Sequence, residues 1–438
     1  MRNASIWLPL ALVCACTGTP VAGEREARSE VERVRRSFET GALPQLTPAS
    51  PLEDYLRVAM FSSPRVRVAY SEWARSVESI TVARSLPDPK LSFEADVSSM
   101  IEGAMVGLMV DLPGPGKLAA AGEAALQGSR KSYHAFESEI LNVAVAVKSA
   151  YFRLYFLDEN LRLQRATADL LSDLEQVART QNLAGRVTLQ DVLRAQIEKE
   201  RVRTQIENLE DSRASLVAEL KGALGRGASD PDPPVPATFK PSPDAGPPDD
   251  VLRRALALDP SLRAMEADVQ RAEAVLRLAQ KASVPDFSLG LEADVKRDML
   301  TPSVGMTLPI WRDKIAAGIA AAQAEKEAAS ARLDAARIAV AAELAVTLYG
   351  YRASLRDIEL LSERLVPKAR QSLAAARPAY ATGRASFLDV IDAERQLLAF
   401  ESALIDARTR RELALAAISA AAVRFPPSAP VLEPETSR

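Results

Sequence analysis

Histidine and cysteine are almost missing from the 438 residues: there is one histidine, His134, and two cysteines, Cys14 and Cys16, both near the start. Zinc sites, cysteine or histidine nucleophile systems and redox pairs all draw on clusters of these side chains. The sequence therefore argues against an enzyme, a bound metal or any other cofactor. A basic excess is missing too. The formal net charge is -3 and there is no long basic run, whereas a nucleic-acid partner calls for a concentrated basic surface, so none is expected. What is abundant is apolar: 47% of residues are hydrophobic and 26% charged, which excludes disorder and is enough for two units of ordinary size.

Proline is the next informative absence. The chain has 28 prolines but none from Lys117 to Asn182, and the only glycines there are Gly122 and Gly128, near the start of the stretch. A single helix over about 65 residues, rising 1.5 Å each, reaches roughly 100 Å. No globular core needs such a rod. Gly185 punctuates it, and a further helix is expected from Leu189 to Leu224. Before the rod, a helical pattern from Leu52 to Ser85 is interrupted at Pro64 and stopped by Pro87 and Pro89, since proline lacks a donor and restricts its predecessor.

Between these helical stretches the period changes from helical to two. In VPDFSLGLEADV, Val284 to Val295, the residues Phe287, Leu289, Leu291, Ala293 and Val295 share one face, with Ser288, Gly290, Glu292 and Asp294 on the other. A near-copy, LPDPKLSFEADV, occupies Leu86 to Val97. A second alternating run, Val106, Leu108, Val110 and Leu112, follows the first copy and makes a hairpin with it; Val304, Met306, Leu308 and Ile310 replay it after the second. Strands apolar on one side and acidic on the other suit a wall between lipid and water.

The chain is also a duplication. Asp259-Pro260 answers Ser63-Pro64, Leu308-Pro309 answers Leu112-Pro113, Tyr349 answers Tyr151, and TGRASFLDV at Thr382 answers AGRVTLQDV at Ala184. The offset drifts only between 196 and 198 residues, the mark of an internal repeat. The expected organisation is an export signal at 1–15, an extended arm at 16–51, a first repeat at 52–228, a proline-rich linker at 229–249, a second repeat at 250–424 and a disordered tail at 425–438. The signal has Arg2 and then Ile6, Trp7, Leu8, Leu10, Leu12 and Val13, too short a run for a permanent span. Val13-Cys14-Ala15-Cys16 resembles a bacterial lipoprotein signal, with Cys16 as the lipidated first residue. An ordinary cleaved signal with incidental cysteines is the alternative.

Each repeat thus reads helix, strand, strand, very long helix, tight turn, returning helix. Four strands cannot close a barrel, for which about eight are needed, and open sheet edges are not tolerated in lipid. The barrel must then be shared between subunits, with the rods continuing below it as a tube. Alanine-rich faces such as Ala316, Ala317, Ala320, Ala321, Ala324, Ala328 and Ala331 favour close packing there.

From Leu52 to Ala422 this pattern resembles the TolC family of outer-membrane efflux proteins. The resemblance implies a mainly α fold with a small transmembrane β part: long helical hairpins forming an α-barrel, and four strands per chain contributing to a trimeric β-barrel. It also implies a homotrimer in outer-membrane lipid whose tunnel crosses the periplasm to meet an adaptor protein and an inner-membrane pump. Leu112-Pro113-Gly114-Pro115-Gly116-Lys117 is similar to the Pro-x-Pro-Gly-Lys segment of the metal-efflux branch, and the resemblance leaves metal cations or drugs as the expected cargo. In such a trimer Glu94, Asp96, Asp111, Glu292 and Asp294 would form lumenal rings favouring cations, or they are only the solvated side of amphipathic strands.

At the turns below, Gly185 and Gly383 suit the left-handed position that ends a helix, and Thr188 and Ser386 read as N-caps with Asp191 and Asp389 at the third position. The resemblance makes Asp389 and Asp392 acidic rings at the periplasmic mouth and pairs Tyr380 with Asp191 in holding it shut. Arg384 stands one place out of register for the same task. Gly185, Arg186, Gly383 and Arg384 lie where the family docks its adaptor. Pro367 and Pro378 interrupt the second long helix where Asp169 and Thr180 stand in the first, which predicts that the second hairpin moves. A duct for protein secretion is the alternative within this architecture. The alternative from another class is a soluble periplasmic coiled-coil scaffold.

Overall fold

The computed structural model describes residues 21–41, 43–97, 101–294 and 299–423, and for 95–97 and 101–104 the backbone alone. The export signal, Cys16 and the tail beyond Val423 lie outside the described residues. In chain order the elements are α1 (Glu24–Thr40), α2 (Leu52–Ser62), α3 (Pro64–Arg84), β1 (Lys90–Val97), β2 (Ile101–Leu112), α4 (Lys117–Leu183) and α5 (Leu189–Ala223). Then follow α6 (Pro248–Leu258), α7 (Pro260–Gln280), a short 3-10 turn, β3 (Phe287–Asp294), β4 (Met299–Met306), α8 (Arg312–Glu359), a π-helical turn (Leu360–Leu365), α9 (Val366–Ala381) and α10 (Phe387–Ala421).

The proline-free stretch is one α-helix of 67 residues, about 100 Å long at 1.5 Å per residue. Pro64 and Pro260 each sit in the first turn of a helix, where the missing N–H costs nothing. The strands form one antiparallel sheet in the order β1-β2-β3-β4, so β1 and β4 are its edges. β4 ends at Met306, earlier than the alternation through Ile310 suggests: Thr307 still donates its N–H to the Asp286 carbonyl at 2.8 Å, but the Asp286 N–H goes to the Thr307 hydroxyl, also at 2.8 Å.

The segment expected to be an extended arm contains helix α1. Ala27, Val31, Val34 and Phe38 recur at helical spacing, and they pack on the core built by α2, α3 and α4. Glu24, buried, accepts Arg84 Nε at 2.6 Å and Thr81 Oγ1 at 2.7 Å, which fastens the first turn of α1 to the end of α3. Those bonds hold the Glu24 carboxyl below its ordinary range, the Arg84 hydrogen bond most of all.

Three apolar clusters run along the molecule. The largest, at mid-height, centres on Trp73 stacked against Phe136 at 5.6 Å and on Tyr55 edge-on to Tyr151. A second lies at the hairpin tips and a third beneath the linker. Residues 224–247 have neither helix nor strand, yet they are fastened. Tyr55 donates to the Pro234 carbonyl at 2.9 Å and Tyr151 to that of Thr238 at 2.8 Å. In the second repeat Tyr351 does this, donating to Asp244 at 3.0 Å; Tyr349, matched to Tyr151 by offset, is exposed. Most of the alanines expected to line the packed face of α8 are exposed as well, and the alanines of α8 that are buried are Ala322 and Ala329.

Candidate functional site

The upper part of the site is the sheet. Its registers align Leu91 with Leu108, Leu108 with Leu291 and Leu291 with Pro302, and Val110 with Leu289 and Leu289 with Val304. One face is therefore apolar across all four strands, and it is open: Leu91, Phe93, Leu108, Phe287, Leu289, Leu291, Leu300 and Val304 are exposed, Phe93 by 70% and Val304 by 76%. A water-soluble sheet buries such a face against another layer; here nothing among the described residues covers it.

The opposite face is polar and narrow. Ser92 stands opposite Gly107, Ser303 opposite Gly290 and Ser288 opposite Gly305. A Cβ on any of those glycines would come within 2.5 Å of the facing serine oxygen. Glu94 and Glu292 are exposed on this face and Asp294 is half-buried, while Asp111 is paired with Lys90 at 2.7 Å. The side chain of Asp96 lies outside the described residues. Among the lumen candidates Asp111 is thus part-neutralised, and Glu94 and Glu292 present their carboxylates openly.

The lower part is the pair of tips. Both long helices end in the same motif. Arg186 N–H donates to Gln181 and Gly185 N–H to Asn182; Arg384 N–H donates to Ala379 and Gly383 N–H to Tyr380. Such endings need a left-handed residue, and Gly185 and Gly383 have φ of 70° and 73°. Among the described residues no atom beyond the chain neighbours lies within 4 Å of a Cβ built on either, so backbone conformation is what requires glycine there. The starts of the returning helices differ. Ser386 and Asp389 form the reciprocal cap, Asp389 N–H donating to Ser386 Oγ and Ser386 N–H to the Asp389 carboxylate at 2.8 Å. Thr188 makes no side-chain cap, so Asp191 is not held as Asp389 is; it lies 3.8 Å from Arg194 instead.

Between the tips is a cleft of about 500 Å³ lined by Arg186, Asp191, Arg194, Tyr380 and Phe387 among others. Tyr380 is buried against Phe387, ring centres 5.4 Å apart, and its hydroxyl has no hydrogen-bond partner among the described residues. Burial, with the Asp191 charge adding to it, pushes the Tyr380 hydroxyl up to about 12. Tyr380 and Asp191 are thus neighbours without a hydrogen bond. Arg384 does not reach Asp191; its Nε donates to Thr382 Oγ1 at 3.0 Å within its own turn. Asp392 is exposed, 3.8 Å from Arg395.

The tip contains two features that sequence pattern did not single out. Arg395 of α10 is paired with the buried Glu198 of α5, an ion pair that crosses between the hairpins. One residue earlier, Glu394 is buried with one carboxylate oxygen unpartnered. Burial raises its pKa, and the Glu401 charge raises it further. A glutamate in an amphipathic helix reads as a solvent residue, so the only signal was its place on the same helix face as Val390 and Ile391.

The family profile described as outer membrane efflux protein matches residues 56–226 and again 251–422. The cobalt-zinc-cadmium resistance protein CzcC of Cupriavidus metallidurans is 23% identical over 357 residues, covering 79% of this chain and 83% of that protein. Among solved structures, the outer membrane protein VceC of Vibrio cholerae superposes with a TM-score of 0.72 at 20% identity, over 85% of this chain and 95% of its own. CusC, described in terms of folding and transmembrane channel formation, gives 0.71 at 17% identity over 88% and 95%.

Proposed function

The chain belongs to the outer membrane efflux protein family, and from that premise we propose that it is the exit duct of a tripartite efflux system. Three copies close a twelve-stranded barrel in the outer membrane, continue as a helical tunnel through the periplasm, and present their tips to an adaptor protein and an inner-membrane pump. The observation that carries this reading is the uncovered apolar face running the full width of the sheet. Lipid is the solvent such a face suits, and in lipid the edges β1 and β4 must be paired. Exposed Ile338, Val346 and Tyr349 on α8 support a neighbouring copy along the tunnel as well.

Within this duct, Glu94 and Glu292, with Asp96, Asp111 and Asp294, line the lumen as threefold rings. Asp389 and Asp392 narrow the periplasmic mouth, and Tyr380 against Asp191 holds it closed, with Arg384 bracing its own turn. Gly185, Arg186, Gly383 and Arg384 form the adaptor-docking ends. Removal of residues 1–15 leaves Cys16 as the lipid-bearing first residue, anchoring the arm at the membrane. Rings of carboxylates favour cations, and the likeness to a cobalt-zinc-cadmium resistance protein supports divalent metal ions as the cargo.

Fractionation tests the duct. The expressed chain should sediment with outer-membrane fragments, require detergent for release and run as a trimer, and its deletion should sensitise cells to divalent metals. A monomer in the soluble periplasmic fraction would overturn the reading in favour of a coiled-coil scaffold. Sensitisation to other compounds alone would overturn only the cargo.

A further inference from the structure

The polar face of the sheet carries one kind of side chain that its surroundings do not ask for. Alternate residues along the four strands fill it with glycine, serine, threonine, lysine and acids. The exceptions are Met105, Met109 and Met299, exposed by 40%, 40% and 51%. Among the described side chains, every large apolar one on this face is a methionine, although the chain has only eight. The opposite face takes its bulk mainly from leucine, valine and phenylalanine. Had the polar face needed bulk alone, those residues would have served there too.

The strand registers set two of these methionines on either side of one carboxylate. Glu94 pairs with Met105, Met105 with Asp294, and Asp294 with Met299. The row at the end of the sheet away from the helices thus reads acid, thioether, acid, thioether across all four strands. Met109 has other neighbours, Lys90 on one side and Gly290 on the other. Met105 and Met299 stand two strand spacings apart, roughly 10 Å. A methionine side chain has three rotatable bonds, so both sulfurs can close over Asp294 from its two sides. A thioether is a soft, uncharged donor that selects soft cations, whereas a carboxylate by itself suits hard ones.

We infer that Met105, Asp294 and Met299 form a station for soft, thiophilic metal cations at the far end of the sheet, with Glu94 adding charge beside it. Its place on the inner wall of a duct rests on the function proposed above, while the ligand set rests on strand register alone. The station deepens the cargo reading by separating soft cations, such as silver(I), from borderline ones, such as zinc(II). Two neutral sulfurs and one carboxylate on an open wall hold an ion weakly enough to let it go, as passage requires.

Methionine methyl groups report the ligation. The full-length protein, isotope-labelled at its methionine methyls and purified in mild detergent, is titrated with silver(I) nitrate in chloride-free buffer and followed by NMR. The Met105 and Met299 signals should shift together and saturate while those of Met109 and Met306 stay in place, and zinc(II) at the same concentration should move none of them. Met105→Leu and Met299→Leu keep the bulk and remove the sulfur. Each should weaken silver binding and the two together should lose it, whereas Met109→Leu should leave it unchanged. Binding that survives the double variant, equal shifts at Met109 and Met306, or zinc shifts as large as those of silver would overturn the station. A trimer that shows no shift overturns the station and leaves the duct standing. A monomer that binds silver at this row keeps the station and overturns the shared barrel, and a monomer without the shift overturns both.

Discussion

The two hairpins below the sheet descend from one duplicated unit, yet one buried charge cluster near the first tip has no counterpart in the second. In the first, α4 runs unbroken to its tip and is bound to α5 by charge. Buried Glu175 is paired with Lys199 and takes Gln196 Nε2 at 2.9 Å and Arg179 at 3.1 Å, and Arg213–Asp158 and Arg165–Glu210 follow at 2.7 Å. In the second, Leu373 and Leu397 stand 198 residues on from Glu175 and Lys199, and Glu394 replaces Gln196. The long helix is also broken: α8 passes through the π turn at Leu360–Leu365 into α9, whose first turn contains Pro367. A π turn leaves one residue out of the regular ladder, and Pro367 removes a donor just after it. The second hairpin keeps ion pairs of its own, Arg370–Glu401 at 2.6 Å and Arg410–Asp357 at 3.2 Å, so the difference in stiffness lies in the ladder: one interrupted there bends at lower cost than a continuous one.

The largest effect that would break this comparison is on transport itself. We predict that the second hairpin is the moving part of the mouth. Joining neighbouring second tips through Ala385→Cys with a thiol cross-linker should abolish export, and joining first tips through Val187→Cys should leave most of it. The opposite pattern, measured as cargo efflux from whole cells, would assign the motion to the first hairpin.

Next in size is the charge cluster. Lys199→Met leaves Glu175 buried beside Gln196 and Arg179 without its strongest partner, and breaking a buried ion pair from one side costs about 3–5 kcal/mol. Glu175→Leu with Lys199→Leu writes the second hairpin's residues into the first, and replacing both members of a buried pair by apolar groups is often neutral. Thermal unfolding of the detergent-solubilised protein should therefore show a large drop for the single variant and little for the double. A double variant as damaged as the single would mean that the two hairpins' interiors are not interchangeable.

How much of this was legible beforehand depended on how local each cause is. Strand faces, helix stops and glycine-ended tips were readable because each is decided within a few residues: the alternation from Phe287, the proline-free run from Lys117, the glycines at 185 and 383. The α1 helix escaped because Ala27, Val31, Val34 and Phe38 are only four apolar residues in a charged stretch, and the packing of Phe38 on Phe61 and Tyr70 comes from distant chain. At the site, Asp389 followed its local cap, whereas Thr188 offered the same pattern and left its cap unmade. Arg395–Glu198 and the burial of Glu394 join helices nearly two hundred residues apart, which no local spacing encodes. Tyr349 and Tyr351 show the limit of offset alone: two residues apart, one is exposed and the other ties down the linker.

The smallest expected effect concerns pH and gives the two hairpins opposite signs. Lys199 and Gln196 hold the Glu175 carboxyl below the ordinary 4.5, with Arg179 helping; the charged form is favoured in the fold. Its contribution is present above 4.5 and is lost as pH falls through the lowered value. Burial raises Glu394, Glu401 adds to the rise, and Thr167 and Arg377 only partly offset it; the neutral form is favoured. Its contribution is complete below 4.5 and is lost as pH rises through the raised value. Acidification should therefore loosen the first hairpin and tighten the second. Spin labels near each tip should show mobility changing in opposite directions as pH falls from neutral to below 4.5. Glu394→Gln, neutral at every pH, should flatten the response of the second hairpin and leave that of the first unchanged. Parallel changes at both tips, or a second-hairpin response that survives Glu394→Gln, would show that Glu394 does not set its pH dependence.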